Sequence, residues 1–308
     1  MKPLTHLVVL AAACACAANV LAQAPAPYVW TLPAKFPRPR VPTDNPMTAE
    51  KVALGRYLFY DTRLSRNGTQ ACATCHEQAR AFTDGKARAV GSTGATHPRG
   101  AMSLVNVAYA SSLTWANPSQ SRLEAQALVP TFGDHPIELG LEQPGTALLA
   151  ALRQIDMYRR LLPAAFPGDA DPFTIANVTR GLAAFERTIV SARSPYDRYH
   201  YDRDDAAVSA DAKRGEQMFF SQGLSCFRCH NGFNFSGATD FEGRREGGTP
   251  EYHNTGLYNL AGALSYPAEN TGVFEITHRP DDVGRLKARR SGTSPSRRPT
   301  CTTAASPR

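Results

Sequence analysis

The sequence predicts an all-α fold made of two related units joined by long loops. Three observations carry the prediction. No stretch alternates apolar and polar residues for long enough to build a substantial sheet. Apolar residues recur instead at helical spacing, as in Leu54, Tyr57 and Leu58, and again over 146–160 and 174–192. A weak internal repeat relates Gly55-Arg-Tyr-Leu-Phe-Tyr60 to Gly215-Glu-Gln-Met-Phe-Phe220, and a Cys-x-x-Cys-His motif follows each.

In chain order, residues 1–22 read as a secretory signal peptide. Lys2 supplies the positive end, Leu4 to Leu21 is apolar and Ala-rich, and Val20-Leu21-Ala22 offers a small-residue cleavage site. A retained anchor is the alternative, disfavoured by the short, Ala-rich stretch, and no later apolar run spans a membrane. Residues 23–47 are rich in proline and read as an extended arm lying on the surface. Thr48 and Ser209 are candidate caps of the two repeated helices, and the glycine in each helix suggests a close approach to a neighbour. Asp197 to Asp205 is charged and Tyr-rich, a plausible linker. With 308 residues there is room for two ordinary domains.

The net charge of +7 does not point to nucleic acid. Arg289, Arg290, Arg297, Arg298 and Arg308 supply five of the positive charges, and no acid lies beyond Asp282. No basic patch is interleaved with aromatics. Of the seven cysteines, Cys14 and Cys16 fall in the signal, Cys301 is left over, and four form two pairs. A histidine follows each pair, which is not the pattern of a disulfide framework.

Cys72-Ala-Thr-Cys75-His76 and Cys226-Phe-Arg-Cys229-His230 carry the chemistry. Two thiols three apart on a short turn can reach the two vinyl groups of one haem, and the adjacent imidazole then falls under the iron. A redox pair or half of a zinc site is the alternative, but chance occurrence of two such motifs in one exported chain is rare. Two covalently bound haem c groups are therefore expected, with His76 and His230 as iron ligands. Haem alone does not separate an electron carrier, with both axial positions filled, from a peroxidase, with one left open.

Phe59-Tyr-Asp-Thr-Arg-Leu-Ser-Arg-Asn-Gly-Thr-Gln-Ala-Cys-Ala-Thr-Cys-His76, followed by Ala81-Phe-Thr-Asp-Gly85, resembles the bacterial dihaem cytochrome c peroxidase superfamily. Val90-Gly-Ser-Thr-Gly94 and Pro98-Arg-Gly-Ala-Met-Ser-Leu104 are similar to its MauG branch. The run from Trp30-Thr-Leu-Pro through Asp44-Asn-Pro-Met-Thr48 to His253-Asn-Thr-Gly-Leu-Tyr-Asn259 looks most like the methanobactin-associated dihaem enzymes. The likeness covers about residues 28–288.

This resemblance implies two cytochrome c-like haem domains, an N-terminal peroxidatic one over 48–205 and a C-terminal one over 206–288, with the haems facing one another across Trp115. On residue type alone Trp115 is as readily a core tryptophan. The resemblance makes it the carrier of electrons between the haems. It also places Gln126, Pro130 and Glu138 on the open face of the N-terminal haem. A carboxylate there can move a proton between the peroxide oxygens. Taken alone, Glu138 is a solvated acid or an ion-pair partner. His97 reads as structural, His135, His200 and His278 as surface histidines, and His253 has no assigned role.

The implied activity uses hydrogen peroxide to oxidise tryptophan residues of a partner protein in the periplasm. One alternative is an ordinary dihaem peroxidase fed by a small cytochrome or cupredoxin donor, and another is a dihaem electron carrier. A calcium ion commonly lies between the haems in this superfamily, and Gly100 here replaces the Asn often found near it.

After Ala288 the chain leaves the family pattern. The family continues with a Pro, a "TLRN" stretch and an "APYMHDG" segment carrying the second axial ligand of the C-terminal haem. Residues 289–308 show no apolar periodicity. The expectation is a frameshift after Ala288, because GC-rich codons for Pro299 to Arg308 read one base out approximate "PYMHDGSIAT". The C-terminal domain is then incomplete, the activity impaired and Cys301 an accident. A disordered basic tail is the alternative.

Overall fold

A computed structural model describes residues 26–244, 251–256, 262 and 265–288. The expected signal peptide, the tail over 289–308 and residues 257–259 of the His253 motif lie outside the described residues. The helices are α1 (Ala49–Phe59), α2 (Cys72–Cys75), α3 (Leu123–Gln126), α4 (Leu128–Phe132), α5 (Thr146–Arg153), α6 (Asp156–Ala165), α7 (Ile175–Arg187), α8 (Pro195–Asp197), α9 (Ala210–Phe219) and α10 (Phe274–Thr277). Two short strands, β1 (Tyr252–Asn254) and β2 (Arg285–Lys287), pair antiparallel with His253 opposite Leu286. The protein is mostly α, and long loops connect its short helices.

The Thr48 hydroxyl accepts the Lys51 N–H and starts α1 as expected. Leu54, Leu58 and Phe59 are fully buried. Tyr57 departs from the expected apolar face and is exposed, because the buried stripe drifts toward Phe59. α1 packs on α7 through two glycines. A Cβ on Gly55 would lie 1.9 Å from the Gly181 carbonyl oxygen, so only glycine lets the backbones meet here. Leu182 and Phe185 of α7 complete this core with Leu152, Tyr158 and Leu162. The Tyr158 hydroxyl donates to Asp61 at 2.6 Å, tying α6 to the turn after α1.

Helical spacing over 146–160 is real but belongs to two helices. Ile155 turns extended and Asp156 opens α6, and no Gly or Pro between Arg153 and Asp156 announces the break. α7 stops at Arg187 rather than running to residue 192. Its successors pair elsewhere: Ile189 accepts the Asn106 N–H, and Ser191 donates to the Asn106 side chain at 2.8 Å.

The proline-rich arm does more than lie on the surface. Phe36 is buried, edge-on to Tyr109, Tyr201 and Phe233, and so touches both halves of the chain. Farther along, fully buried Asn45 donates to Glu124 at 2.7 Å and accepts from Lys51. The arm thus clamps α1, α3 and α7 together beside the first motif.

Candidate haem-binding cavity

In the first motif, Cys72 to Cys75 form one helical turn, and the His76 N–H closes it on the Cys72 carbonyl at 2.9 Å. Both thiols and the imidazole therefore leave the chain within one turn. The His76 Nδ1–H donates to the Phe82 carbonyl at 3.0 Å. A carbonyl can only accept, so the tautomer is set and any metal bond falls to Nε2. Burial pushes the His76 pKa down, while the Phe82 and Met102 carbonyls pull it up, and the net shift favours the neutral ring. Burial also pushes both thiols up, Cys75 to about 11, and none of the four motif cysteines is in a disulfide.

The Phe82 carbonyl is aimed by an unusual backbone. Ala81 and Phe82 both take the left-handed conformation, with φ of 55° and 56°. The Ser103 hydroxyl holds the Ala81 carbonyl at 2.5 Å, and the Phe82 N–H returns to Glu77 at 2.8 Å. The second motif repeats the device. His230 closes on the Cys226 carbonyl at 2.9 Å, and its Nδ1–H donates to Phe235 at 3.3 Å. Asn234 and Phe235 are again left-handed, at 57° and 53°. Phe59 lies 6.5 Å from the His76 ring, and Phe219 lies 6.3 Å from that of His230. The weak sequence repeat is thus a repeat of ligand-orienting geometry.

Around the first motif the chain encloses a cavity. Cys72, Cys75 and His76 line it together with Trp115, Gln126, Pro130 and Glu138, so every residue expected at the N-terminal site shares one enclosure. Residues 137–141 fold back along α4, with the Leu139 N–H on the Pro130 carbonyl at 2.8 Å. The Val90 to Gly94 turn holds that return. A Cβ on Gly91 would lie 1.8 Å from the Ile137 carbonyl oxygen, and the Ser92 N–H binds the Glu138 carbonyl at 2.7 Å. Burial raises the Glu138 pKa, and its carboxyl has no hydrogen-bond or ion-pair partner among the described residues. It is an acid presented to the enclosure.

Trp115 is half-buried, and its indole N–H donates to the Gly100 carbonyl at 3.3 Å. Gly100 itself packs on the backbone, since a Cβ there would lie 2.1 Å from the Lys86 oxygen. No group of three His, Cys, Asp or Glu side chains among the described residues is arranged to hold a metal ion. His97 lines the cavity, with Nδ1 accepting the Arg99 N–H at 3.1 Å. His135, His200 and His278 are exposed. His253 sits in β1 with Nε2 buried and without a hydrogen-bond partner among the described residues, 3.7 Å from Glu251.

Sequence reasoning missed two contributors to this cavity. Glu186 on α7 is buried in its wall with one carboxyl oxygen unpartnered, and burial raises its pKa to about 8. Its place beside Arg187 reads in sequence as a surface charge pair. Arg99 reaches across to Asn270 at 2.7 Å and Glu275 at 2.5 Å, drawing α10 and the segment before it onto the cavity. No local signal marks that long-range contact. The second trio stands in different surroundings: Met218, Phe220 and Leu224 near it are exposed.

The geometry has counterparts. The sequence pattern of the di-haem cytochrome c peroxidase family matches residues 49–206. The methylamine utilization protein MauG of Methylorubrum extorquens is 37% identical over 226 residues, covering 72% of this chain and 62% of that protein. The cytochrome c551 peroxidase of Pseudomonas aeruginosa is 29% identical over 240 residues, 77% of this chain and 63% of its own. A crystal structure described as a MauG-like protein associated with microbial copper homeostasis aligns with a TM-score of 0.80 at 42% identity, over 88% of this chain and 78% of that one. The chain spans about six tenths of the length of the curated relatives it matches.

Proposed function

The chain belongs to the MauG-like branch of the di-haem cytochrome c peroxidase family, and from that premise we propose a haem-dependent oxidoreductase that uses hydrogen peroxide to oxidise tryptophan residues of a partner protein in the periplasm. The observation that carries the reading is the single cavity in which Cys72, Cys75 and His76 face Glu138, with Trp115 in the same wall.

The donor set suits a haem c. Two thiols outside any disulfide and a tautomer-fixed imidazole converge on the enclosure, and the second motif repeats the orienting hydrogen bond. Such a group, tethered to Cys72 and Cys75 and ligated by His76, supplies an iron that activates peroxide and takes up electrons. The Phe82 carbonyl keeps His76 oriented and strengthens it as a donor. Glu138, as carboxylate, would accept the proton of one peroxide oxygen and return it to the other. Gln126 and Pro130 shape the space where peroxide would lie. Trp115, in the wall of the same cavity, would carry electrons between the two haem groups.

Glu138→Gln is expected to leave haem attachment intact and slow the reaction with peroxide by about 10²- to 10⁴-fold in stopped-flow absorbance. A wild-type rate in that variant contradicts the assignment. Steady turnover with reduced cytochrome c as donor would favour the ordinary peroxidase, the activity named for the Pseudomonas relative.

A further inference from the structure

Beside the second motif a tyrosine is hydrogen-bonded to its own base. A capping box fixes Tyr196 in α8: the Ser194 hydroxyl accepts the Asp197 N–H at 3.0 Å, and the Asp197 carboxylate accepts the Ser194 N–H at 2.8 Å. From α9, the half-buried Glu216 accepts the Tyr196 hydroxyl at 3.2 Å. Lys213 and Arg214, the cations nearest Glu216 in sequence, pair with Asp205 and Asp211 instead. The Glu216 carboxylate is thus left to the phenol.

Tyr196 also touches the rings that lead to His230. It lies 5.1 Å from the ring of Phe235, whose carbonyl accepts the His230 Nδ1–H. Phe219, three residues beyond Glu216 on α9, stands 5.6 Å from Phe235 and 6.3 Å from the His230 ring. Tyr196 further stacks on the exposed ring of His200, at 5.6 Å and 9° between planes. An unbroken set of ring contacts therefore runs from the ligand histidine through Tyr196 to the surface.

Losing an electron makes a phenol O–H strongly acidic, so oxidation is easiest where a base already accepts its hydrogen bond. Burial and the Glu216 charge raise the Tyr196 pKa, which keeps the group a neutral phenol with one proton to lose. Tyr158 is the contrast. It too donates to a carboxylate, Asp61 at 2.6 Å, but Arg63 binds that same oxygen at 2.9 Å and weakens it as a base.

We propose that Tyr196 is a redox-active tyrosine that relays oxidising equivalents between the second motif and the protein surface. One electron leaves its phenol by way of Phe235 and Phe219 and reduces, by one equivalent, a haem at His230 that peroxide has oxidised. The O–H bond breaks, the proton passes to Glu216, and a neutral tyrosyl radical remains. A one-electron donor at the surface, with the proton returned by Glu216, restores the phenol. Only the oxidant in this step rests on the proposed peroxide reaction.

Freeze-quenched electron paramagnetic resonance of the haem-loaded full chain, mixed with one equivalent of hydrogen peroxide, is the test. An organic-radical signal is expected, and its hyperfine structure should collapse when the chain carries ring-deuterated tyrosine. Tyr196→Phe should lose most of that signal, and Tyr158→Phe should keep it. Glu216→Gln keeps an acceptor oxygen but not the base, and should slow the rise of the signal by about 10²-fold. Haem signals that respond to peroxide without any tyrosine radical, or with one that survives in Tyr196→Phe, overturn the relay and leave the peroxide reading standing. Haem signals that ignore peroxide sink that reading instead. Flash-generated tris(bipyridine)ruthenium(III) then supplies the one-electron oxidant to the same chains, and radical yields in Tyr196→Phe and Glu216→Gln equal to the wild type overturn the relay.

Discussion

Two buried acids in one enclosure call for separate tests, because burial acts on both and only one is assigned to peroxide. Glu186 has its pKa raised to about 8, chiefly by burial, with Arg187 opposing and Glu124 adding to the rise. A carboxyl whose folded value exceeds its ordinary 4.5 binds its proton more tightly folded than unfolded. The fold therefore loses stability as pH rises from about 4.5 to about 8. Glu186→Gln should flatten the fall of Tm across that window, and an unchanged slope would contradict the burial account. Trp115→Phe is expected to keep the peroxide reaction while losing oxidation of the partner, seen as a long-lived oxidised spectrum. The cysteines and ligand histidines were legible because each sits in a motif of fixed spacing, whereas Glu138 was reached only through the family resemblance. Glu186 was not, since burial is set by α7 docking on α1 and leaves no local mark. The positive φ at Ala81 and Phe82 was hidden too, because neither residue is a glycine.

Among the elements, the two repeated helices share a cap and a glycine but not a neighbour. Ser209 caps α9 as Thr48 caps α1. Gly55 meets Gly181 of α7, whereas a Cβ on Gly215 would meet nothing within 4 Å among the described residues. The sequence suggested a close approach in both, and only the first is observed. Gly55→Ala forces α1 from a backbone carbonyl that cannot rotate away, and should destabilise the protein by about 1–3 kcal/mol. Gly215→Ala should be neutral or stabilising by up to about 1 kcal/mol, from helix propensity alone. Thermal unfolding of the pair tests this directly, and equal losses would contradict it. The split of 146–160 into α5 and α6 escaped prediction for a related reason: tertiary packing bends the chain at a place that carries no breaker residue.

For the molecule as a whole, the mostly helical class and the absence of a substantial sheet were readable from periodicity, since short helices still bury one stripe. The role of the arm was not. Proline content says that residues 23–47 are extended, but not that Phe36 seats among Tyr109, Tyr201 and Phe233. Phe36→Ala should cost about 3–5 kcal/mol in chemical denaturation, the usual loss for a buried phenylalanine. Described residues from several helices and loops line the cavity around Cys72, Cys75 and His76, whereas the second motif borders exposed apolar side chains. The account therefore rests most heavily on the N-terminal site having an open, peroxide-reactive face. Electron paramagnetic resonance of the ferric, haem-loaded chain, before and after one equivalent of hydrogen peroxide, tests that claim. It predicts a high-spin signal that peroxide consumes. A spectrum holding only low-spin signals, unchanged by peroxide, would contradict it and leave an electron carrier.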